Sequence, residues 1–251
     1  MKSVLIALLF IFVTPVFAKE IITLGNAARI VQSPEACLET SGVCALKTGP
    51  DEKFKFNIGK TQIVLDENTA VVLRSDNKLT LVIGQIWVHA KDEIEIETEY
   101  GSAKAFDGNF LAKNKDKKMD LKAIDADLML TPKMSEKSLK LEAGEENWLG
   151  PVDQTRTASS GLPLPIRPSD LVVNWARLYT GTKVDFEKDF KNFFKLWSLA
   201  SERLAEFHAE VTKRQIASIE NEIARKKQIL ANQARENARI KAWFRKHSLE
   251  D

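Results

Sequence analysis

From Thr182 to its last residue, Asp251, the chain contains neither glycine nor proline. These two residues are the strongest helix breakers, so a single helix can run through the whole segment. Thr182 and Asp185 have the spacing of a capping box, which starts such a helix. At 1.5 Å per residue the helix would be about 100 Å long, too long to be buried within a small domain. The alternative is a helical hairpin that folds back around residues 208–218, where no turn residue supports it.

Large apolar side chains recur at steps of three and four along this segment, in two registers that lose phase near Gln215, as in a coiled-coil stutter. The first stretch is rich in aromatic residues and suits packing on other helices or on the rest of the protein. The second stripe is thinner and suits a coiled coil or a partner's helix. The predicted assembly face consists of Phe190, Phe193, Trp197, Leu204, Phe207, Val211, Ile216, Ile219, Ile223, Leu230, Ile240 and Phe244.

Residues 19–149 carry strand signals instead. Segments such as 61–65, 85–90 and 93–100 alternate apolar and polar residues or are rich in β-branched ones. Residues suited to turns or bulges, Gly84 among them, recur at roughly eight to ten residue intervals. The pattern predicts an antiparallel all-β sandwich or solenoid-like stack. The chain as a whole is therefore predicted to be α+β, with a β domain followed by a coiled-coil-like helical region.

Residues 45–149 also contain an ordered set of glycine, alanine and apolar positions: Leu79, Leu81, Gly84, Thr98, Gly101, Ala103, Ala105, Gly108, Phe110, Leu141, Ala143, Gly144 and Glu145. In their order and spacing these positions resemble the FecR-type domain of envelope proteins. Asn109 stands where the family has threonine, and a glycine expected near Ala126 is missing. The resemblance implies a β-rich module for interactions in the cell envelope. The cytoplasmic anti-sigma segment of the family's regulators is expected to be absent here, and with it their usual signalling output.

Residues 1–18 have the features of a secretory signal peptide: Lys2, an apolar stretch over residues 4–13, and a cleavage site between Ala18 and Lys19. A retained anchor is the alternative. We therefore expect a periplasmic protein, or a secreted one. In an exported chain, Cys37 and Cys44 are predicted to form a structural disulfide, because a redox-active pair usually has the tighter C-x-x-C spacing.

Between the two regions, residues 150–168 are predicted to form a Pro/Ser-rich, semi-extended linker in which only Leu162, Leu164 and Ile166 could dock. A short helix is predicted over residues 170–180, capped by Ser169 and ended by Gly181. The long helix is predicted over residues 183–247.

The sequence offers few candidates for a chemical site. Glu93, Glu95, Glu97 and Glu99 share one face of a strand, where they could bind calcium or act as an acid/base pair. The simpler interpretation is a solvated face paired with lysines such as Lys104 or Lys113. His89 is interpreted as structural and residues 113–118 as a hairpin turn. No catalytic residue, cofactor or metal ligand is predicted.

A net charge of +2 argues against nucleic acid as the main partner. The predicted function is that of a non-enzymatic, exported interaction or scaffold protein. It would assemble through residues 183–247, as a homo-oligomer or with a partner's helix. The alternative is binding to an anionic envelope surface, either cell wall or lipid, because ten Lys and Arg face three Glu between Val211 and His247. A small-molecule sensor is a third possibility and would need a concave pocket.

Overall fold

The computed structural model describes residues 21–24, 37, 42–75, 77–133, 135, 137–151 and 158–247. The predicted signal segment, with Ala18 and Lys19, lies outside these residues. The strands are β1 (Ile21–Leu24), β2 (Cys44–Thr48), β3 (Phe54–Ile58), β4 (Thr61–Leu65), β5 (Ala70–Ser75), β6 (Lys78–Ala90), β7 (Ile94–Thr98), β8 (Gly101–Ala105), β9 (Gly108–Lys115), β10 (Lys118–Ala123), β11 (Leu128–Pro132), β12 (Leu139–Leu141), β13 (Glu145–Pro151), β14 (Ala158–Ser160) and β15 (Leu164–Pro165). The helices are α1 (Pro168–Leu178) and α2 (Lys183–His247).

One long strand, β6, belongs to both halves of a curled sheet. Its first half pairs with β5 and β7, in the order β1-β2-β5-β6-β7-β8-β11-β12. Its second half pairs with β4 and β9, in the order β3-β4-β6-β9-β10-β13, and both β14 and β15 pair with β13. The register of β6 against β5 shifts next to Val82, and Gly84 follows with a φ of +98°. Gly84 therefore marks a bend within one strand and does not separate two strands.

The two halves close over a single apolar core. In β7, Ile94 and Ile96 are buried while Glu95 and Glu97 are half-buried on the other face, as the alternating pattern predicts. Phe110 contributes the largest completely buried side chain of this core. The Cys37–Cys44 disulfide is confirmed and joins this core, with Cys44 completely buried.

The predicted fold class is confirmed: a β domain precedes one long C-terminal helix. α2 is continuous over 65 residues, so the helical-hairpin alternative is wrong. The strand pairs are antiparallel as expected, except that β1–β2 and β6–β7 are parallel. No helix in the described part of the chain is long and apolar enough to span a membrane.

Among its described residues, part of the segment expected to be a linker belongs to the sheet. β13 runs to Pro151 across the predicted boundary at residue 150, and β14 and β15 both pair with it. Ile166 is buried and donates its backbone N–H to the carbonyl of Gly144 at 2.9 Å, while Leu162 and Leu164 stay about half exposed. The physical reason is that β13 would otherwise be a bare sheet edge with unpaired backbone groups.

The predicted start of α2 is correct, whereas the predicted cap of α1 is not. Ser169 does not cap α1: Pro168 occupies the first turn, and Arg167 is the capping residue without a side-chain bond. α1 ends at Leu178, before Gly181. The capping box of α2 is confirmed, because Asp185 N–H donates to Thr182 Oγ1 at 3.2 Å and Thr182 N–H donates to Asp185 Oδ2 at 3.1 Å.

Candidate functional site

Both helices pack on the outer face of one half of the sheet. This face presents Val64, Trp87 and Leu111 from three neighbouring strands, turned away from the main core. Trp175 of α1 is completely buried against it, and its ring lies 6.5 Å from that of Trp197 on α2. The cluster also contains Ile124, Ile166, Leu171, Leu178, Tyr179, Phe186, Phe190 and Phe193. These contacts fix α1 and the start of α2 to the β domain.

α2 comes close to the backbone of the β domain at Gly144. This glycine has a φ of +87°, and a Cβ there would lie 2.7 Å from Ala200 Cβ and 3.1 Å from Trp197 Cα. Next to it, the Trp197 indole N–H donates to the carbonyl of Ile124 at 2.7 Å in a buried hydrogen bond. Both the backbone conformation and the space at this turn therefore require glycine.

Arg203 adds an ionic anchor one turn further along α2. Its Nη1 lies 2.6 Å from Glu142, and its Nη2 lies 2.6 Å from Glu145, whose side chain is only 5% exposed. The hydrogen bond to Glu145 is the main cause that raises the pKa of Arg203, and the charges of Glu145, Glu142 and Asp127 add to it. The guanidinium therefore stays charged and compensates a carboxylate that would be costly to bury alone.

α1 is held by a similar ion pair at its C-terminal end. Arg177 bonds Asp66, and its Nη1 lies 2.8 Å from Glu67. Desolvation raises the pKa of Asp66, although a hydrogen bond from the Glu67 backbone and the Arg177 charge oppose that rise. Tyr179 then links the two helices, because its hydroxyl donates to Asp189 at 2.5 Å. Desolvation and this bond raise the pKa of Tyr179, so its hydroxyl remains a donor at neutral pH.

The docked part of α2 ends near His208. The Nε2 of His208 lies 2.7 Å from the carbonyl of Pro163, which fixes that nitrogen as the donor. Val211 is still half-buried, but every residue from Thr212 to Arg245 is exposed. Residues 212–247, hereafter the projecting half, extend for about 54 Å at 1.5 Å per residue.

The predicted assembly face divides at this point. In the docked half Trp197 and Leu204 are buried, Phe190 and Phe193 are half-buried in the outer cluster, and Phe207 is 42% exposed. In the projecting half the members of the face are between 48% and 64% exposed: Ile216, Ile219, Ile223, Leu230, Ile240 and Phe244. The aromatic stretch thus packs on the chain's own β domain, whereas the second stripe faces solvent.

The two parts of the face also point in different directions. At 100° per residue, Ile216, Ile219, Ile223 and Leu230 are rotated by roughly a quarter turn from the side that carries Trp197 and Leu204. The phase slip near Gln215 is the sequence signature of this rotation. The stripe therefore begins as a surface separate from the docked one. By the same count its far end, Ile240 and Phe244, returns to the direction of the docked face.

Charged side chains surround the stripe. Lys226 pairs with Glu222 at 2.7 Å, and Arg214 pairs with Glu210, both at the favourable four-residue spacing. By the helical period, Arg214, Arg225, Arg235 and Arg239 lie on the side opposite the stripe. All four are exposed. The projecting half therefore presents an apolar side and an arginine-rich side.

The other candidate sites have structural explanations. Glu93 lies 2.7 Å from Lys104, while Glu95 and Glu97 lie 3.5 and 2.6 Å from Lys78. The solvated interpretation of this face is confirmed, with Lys78 in the role that the sequence suggested for Lys113. Within the described residues no group of His, Cys, Asp and Glu could hold a metal ion.

His89 and the basic turn are likewise parts of the sheet. The Nδ1 of His89 lies 2.9 Å from the side-chain oxygen of Asn109, and Asn109 in turn donates to Asp125 at 3.2 Å. Burial raises the pKa of Asp125, although the hydrogen bonds from Asn109 oppose that rise. Asp116 and Lys117, both with positive φ, form the tight turn between β9 and β10.

Sequence reasoning missed the two arginine anchors. Neither Arg177 nor Arg203 stands out among the charged residues of an amphipathic helix, and their carboxylate partners lie 111 and 58 positions away. The sequence marks Gly144 only as one of the positions shared with the FecR-type domain. One local signal was present: a glycine directly before a strand often marks a place where another element approaches the backbone closely. Gly144 has this position, directly before Glu145 at the start of β13.

Gly144→Ala is expected to destabilise the protein by about 2–3 kcal/mol, because it combines backbone strain with overlap against α2. Gly42→Ala is the matched control: Gly42 also has a positive φ, +67°, but nothing lies within 4 Å of its Cβ position. That control should cost only the strain, about 1 kcal/mol. Urea unfolding followed by tryptophan fluorescence measures both variants, and equal losses would refute the close approach of α2.

Comparison with known proteins leaves the chain without a family. No family profile matches it, and no curated protein matches it. Among solved structures it is similar to two from Parabacteroides distasonis, each described provisionally as an anti-sigma factor. One is 12% identical with a TM-score of 0.38, over 47% of this chain and 58% of the other. The second is 13% identical with a TM-score of 0.40, over 55% of this chain and 75% of the other. The chain thus spans less than two thirds of the first of these structures.

Proposed function

We propose that this chain is a non-enzymatic interaction or scaffold protein of the cell envelope that assembles through the projecting half of α2. The observation that carries the proposal is the exposed apolar stripe from Ile216 to Phe244, on a helix whose other half is fixed to the β domain. In this proposal the FecR-like β domain holds the docked half of α2 in place, and a helix of another chain covers the apolar stripe of the projecting half.

The energetics support a partner for the stripe. Isolated helices depend on packing of their apolar face, and a surface helix normally turns that face to a core. Ile219 is 58% exposed and Leu230 is 64% exposed. Fully burying a side chain of this size is worth about 1.5–3 kcal/mol, so covering the exposed part of each stripe residue favours association.

The envelope assignment has support of a different kind. The Cys37–Cys44 disulfide is formed, and such bonds persist in oxidising compartments such as the periplasm. The predicted signal peptide points to the same compartment. We therefore propose that the protein works in the periplasm.

Site-specific photo-crosslinking in the cells that make the protein tests this function. A photoreactive residue in place of Ile219 is expected to crosslink to a second polypeptide chain, because the stripe is covered when the protein works. The matched control is Leu199, which is 64% exposed but lies on the docked half of the helix. Crosslinks of the same yield at both positions, or none at Ile219, would rule out assembly through the stripe.

The second candidate function is attachment to an anionic envelope surface. The observation in its favour is the arginine-rich side of the projecting half, which remains exposed even when a partner covers the stripe. Polyanionic wall polymers and anionic lipid headgroups both attract such a surface.

Cosedimentation with isolated cell wall and with anionic liposomes across a salt series measures this attraction. Binding should be strongest at low salt, where screening is weakest, and Arg225→Gln with Arg235→Gln and Arg239→Gln should weaken it severalfold. If the protein stays in the supernatant at low salt, the surface-binding function is excluded.

A further inference from the structure

The projecting half keeps a strict period of seven residues. Counting Ile216 as position a of a heptad, the stripe occupies positions a and d: Ile216, Ile219, Ile223, Lys226, Leu230, Gln233, Asn237, Ile240 and Phe244. Alanine occupies position b in four successive heptads, at Ala217, Ala224, Ala231 and Ala238. A sustained seven-residue period belongs to a coiled coil, because a straight helix of 3.6 residues per turn would drift away from it.

The residues that flank the stripe identify the partner. The charged residues at position g are Glu222 and Glu236, and those at position e are Glu220, Lys227 and Lys241. In a parallel two-stranded coiled coil, position g of one helix faces position e of the next heptad in the other, five residues further along. In two identical, in-register chains, Glu222 therefore meets Lys227 of the second copy, and Glu236 meets Lys241. Both pairs form twice.

The same charges disfavour the opposite orientation. In an antiparallel pair, g faces g and e faces e. Aligned in this way, Glu222 would meet Glu236 and the two would repel. Glu220 would meet Lys241 at position e, which only offsets that repulsion. The parallel arrangement has no such conflict, because Gln215 is the residue that faces Glu220.

The charged groups are available for these contacts. Lys227, Glu236 and Lys241 are exposed and form no ion pair within the described part of the chain. Glu222 pairs with Lys226 of its own helix at 2.7 Å. That pair also neutralises Lys226, which occupies position d of the stripe.

Asn237 fixes the register and the number of chains. It occupies position a between Leu230 and Phe244, where a single asparagine favours two strands and penalises any shifted alignment. In register, the two Asn237 side chains face and hydrogen-bond each other. Any other register places this amide against an apolar residue.

Resting on the assembly function above, we propose that a second copy of this chain covers the stripe, forming a parallel, in-register, two-stranded coiled coil over residues 216–244. The quarter-turn between the docked face and the start of the stripe leaves the β domain beside the pair and not between its helices. The dimer therefore presents two β domains at one end and both C-termini at the other. A target with repeated or twofold features would bind both domains at once, with a gain in avidity.

Disulfide trapping of the purified full chain tests orientation and register together. Ile223→Cys, at position a, should form a covalent dimer under mild oxidation, because the two copies of this residue face each other. Asn221→Cys, two positions earlier and on the outer side, is the matched control and should not. An antiparallel dimer would leave Ile223→Cys uncrosslinked, and that result would overturn the proposal, as would a trimer in light scattering.

Charge reversal tests the pairing itself. Glu222→Lys with Glu236→Lys should raise the dissociation constant at least about tenfold, since four interchain attractions become repulsions. A chain with Lys227→Glu and Lys241→Glu should weaken similarly, and mixing the two variants should restore dimers. Reversals without effect, or a mixture that stays monomeric, would contradict the pairing.

The two proposals fail in different ways. If the purified chain is monomeric at about 100 µM while Ile219 still crosslinks to another protein in cells, only the homodimer is wrong. If Ile219 crosslinks to nothing and the chain is monomeric, assembly through the helix is wrong as well.

Discussion

The contact between α2 and the turn at Gly144 is the one on which the rest of the molecule depends. There a glycine with positive φ lets the helix backbone come close, the Trp197 indole bonds the Ile124 carbonyl, and Arg203 compensates the buried Glu145. Each interaction requires the others: the glycine supplies the space, the indole sets the depth, and the ion pair keeps polar groups from being buried alone. Together these three interactions fix the direction in which α2 leaves the β domain.

That anchoring gives one helix two distinct surfaces. The docked half uses its aromatic side chains internally, and a quarter turn later the projecting half presents a thinner aliphatic stripe with charged edges. Such a stripe would be a liability on a protein that works alone. On a protein that pairs helices, its low apolar content keeps the free chain soluble, while Asn237 and the flanking Glu and Lys residues make the pairing selective.

Much of this architecture could be predicted from local sequence. The alternation in 93–100 placed Ile94 and Ile96 in the core, and the absence of glycine and proline after Gly181 predicted one long helix starting at the Thr182 capping box. Contacts that join distant parts of the chain could not be predicted in the same way. In the sequence, the bend at Gly84 could not be distinguished from a turn between two strands. The prolines in 150–168 indicated a linker, although two short strands in this segment pair with the edge of the sheet. Arg203 had no local feature that pointed to Glu145. The sequence alone shows that Glu222, Lys227, Glu236 and Lys241 flank the apolar positions of a heptad repeat. Only the structure shows that this half of the helix makes no contact with the described part of the β domain, so that these charges can pair with another chain.

The central claim is that the two halves of α2 are stabilised by different partners. Amide hydrogen exchange measured at two protein concentrations roughly a hundredfold apart tests it most directly, because only an intermolecular contact obeys mass action. We predict that residues 190–208 exchange slowly and equally at both concentrations, while residues 216–240 become markedly more protected at the higher one. Protection of both halves that is independent of concentration would contradict this account, as would rapid exchange of residues 216–240 at both concentrations.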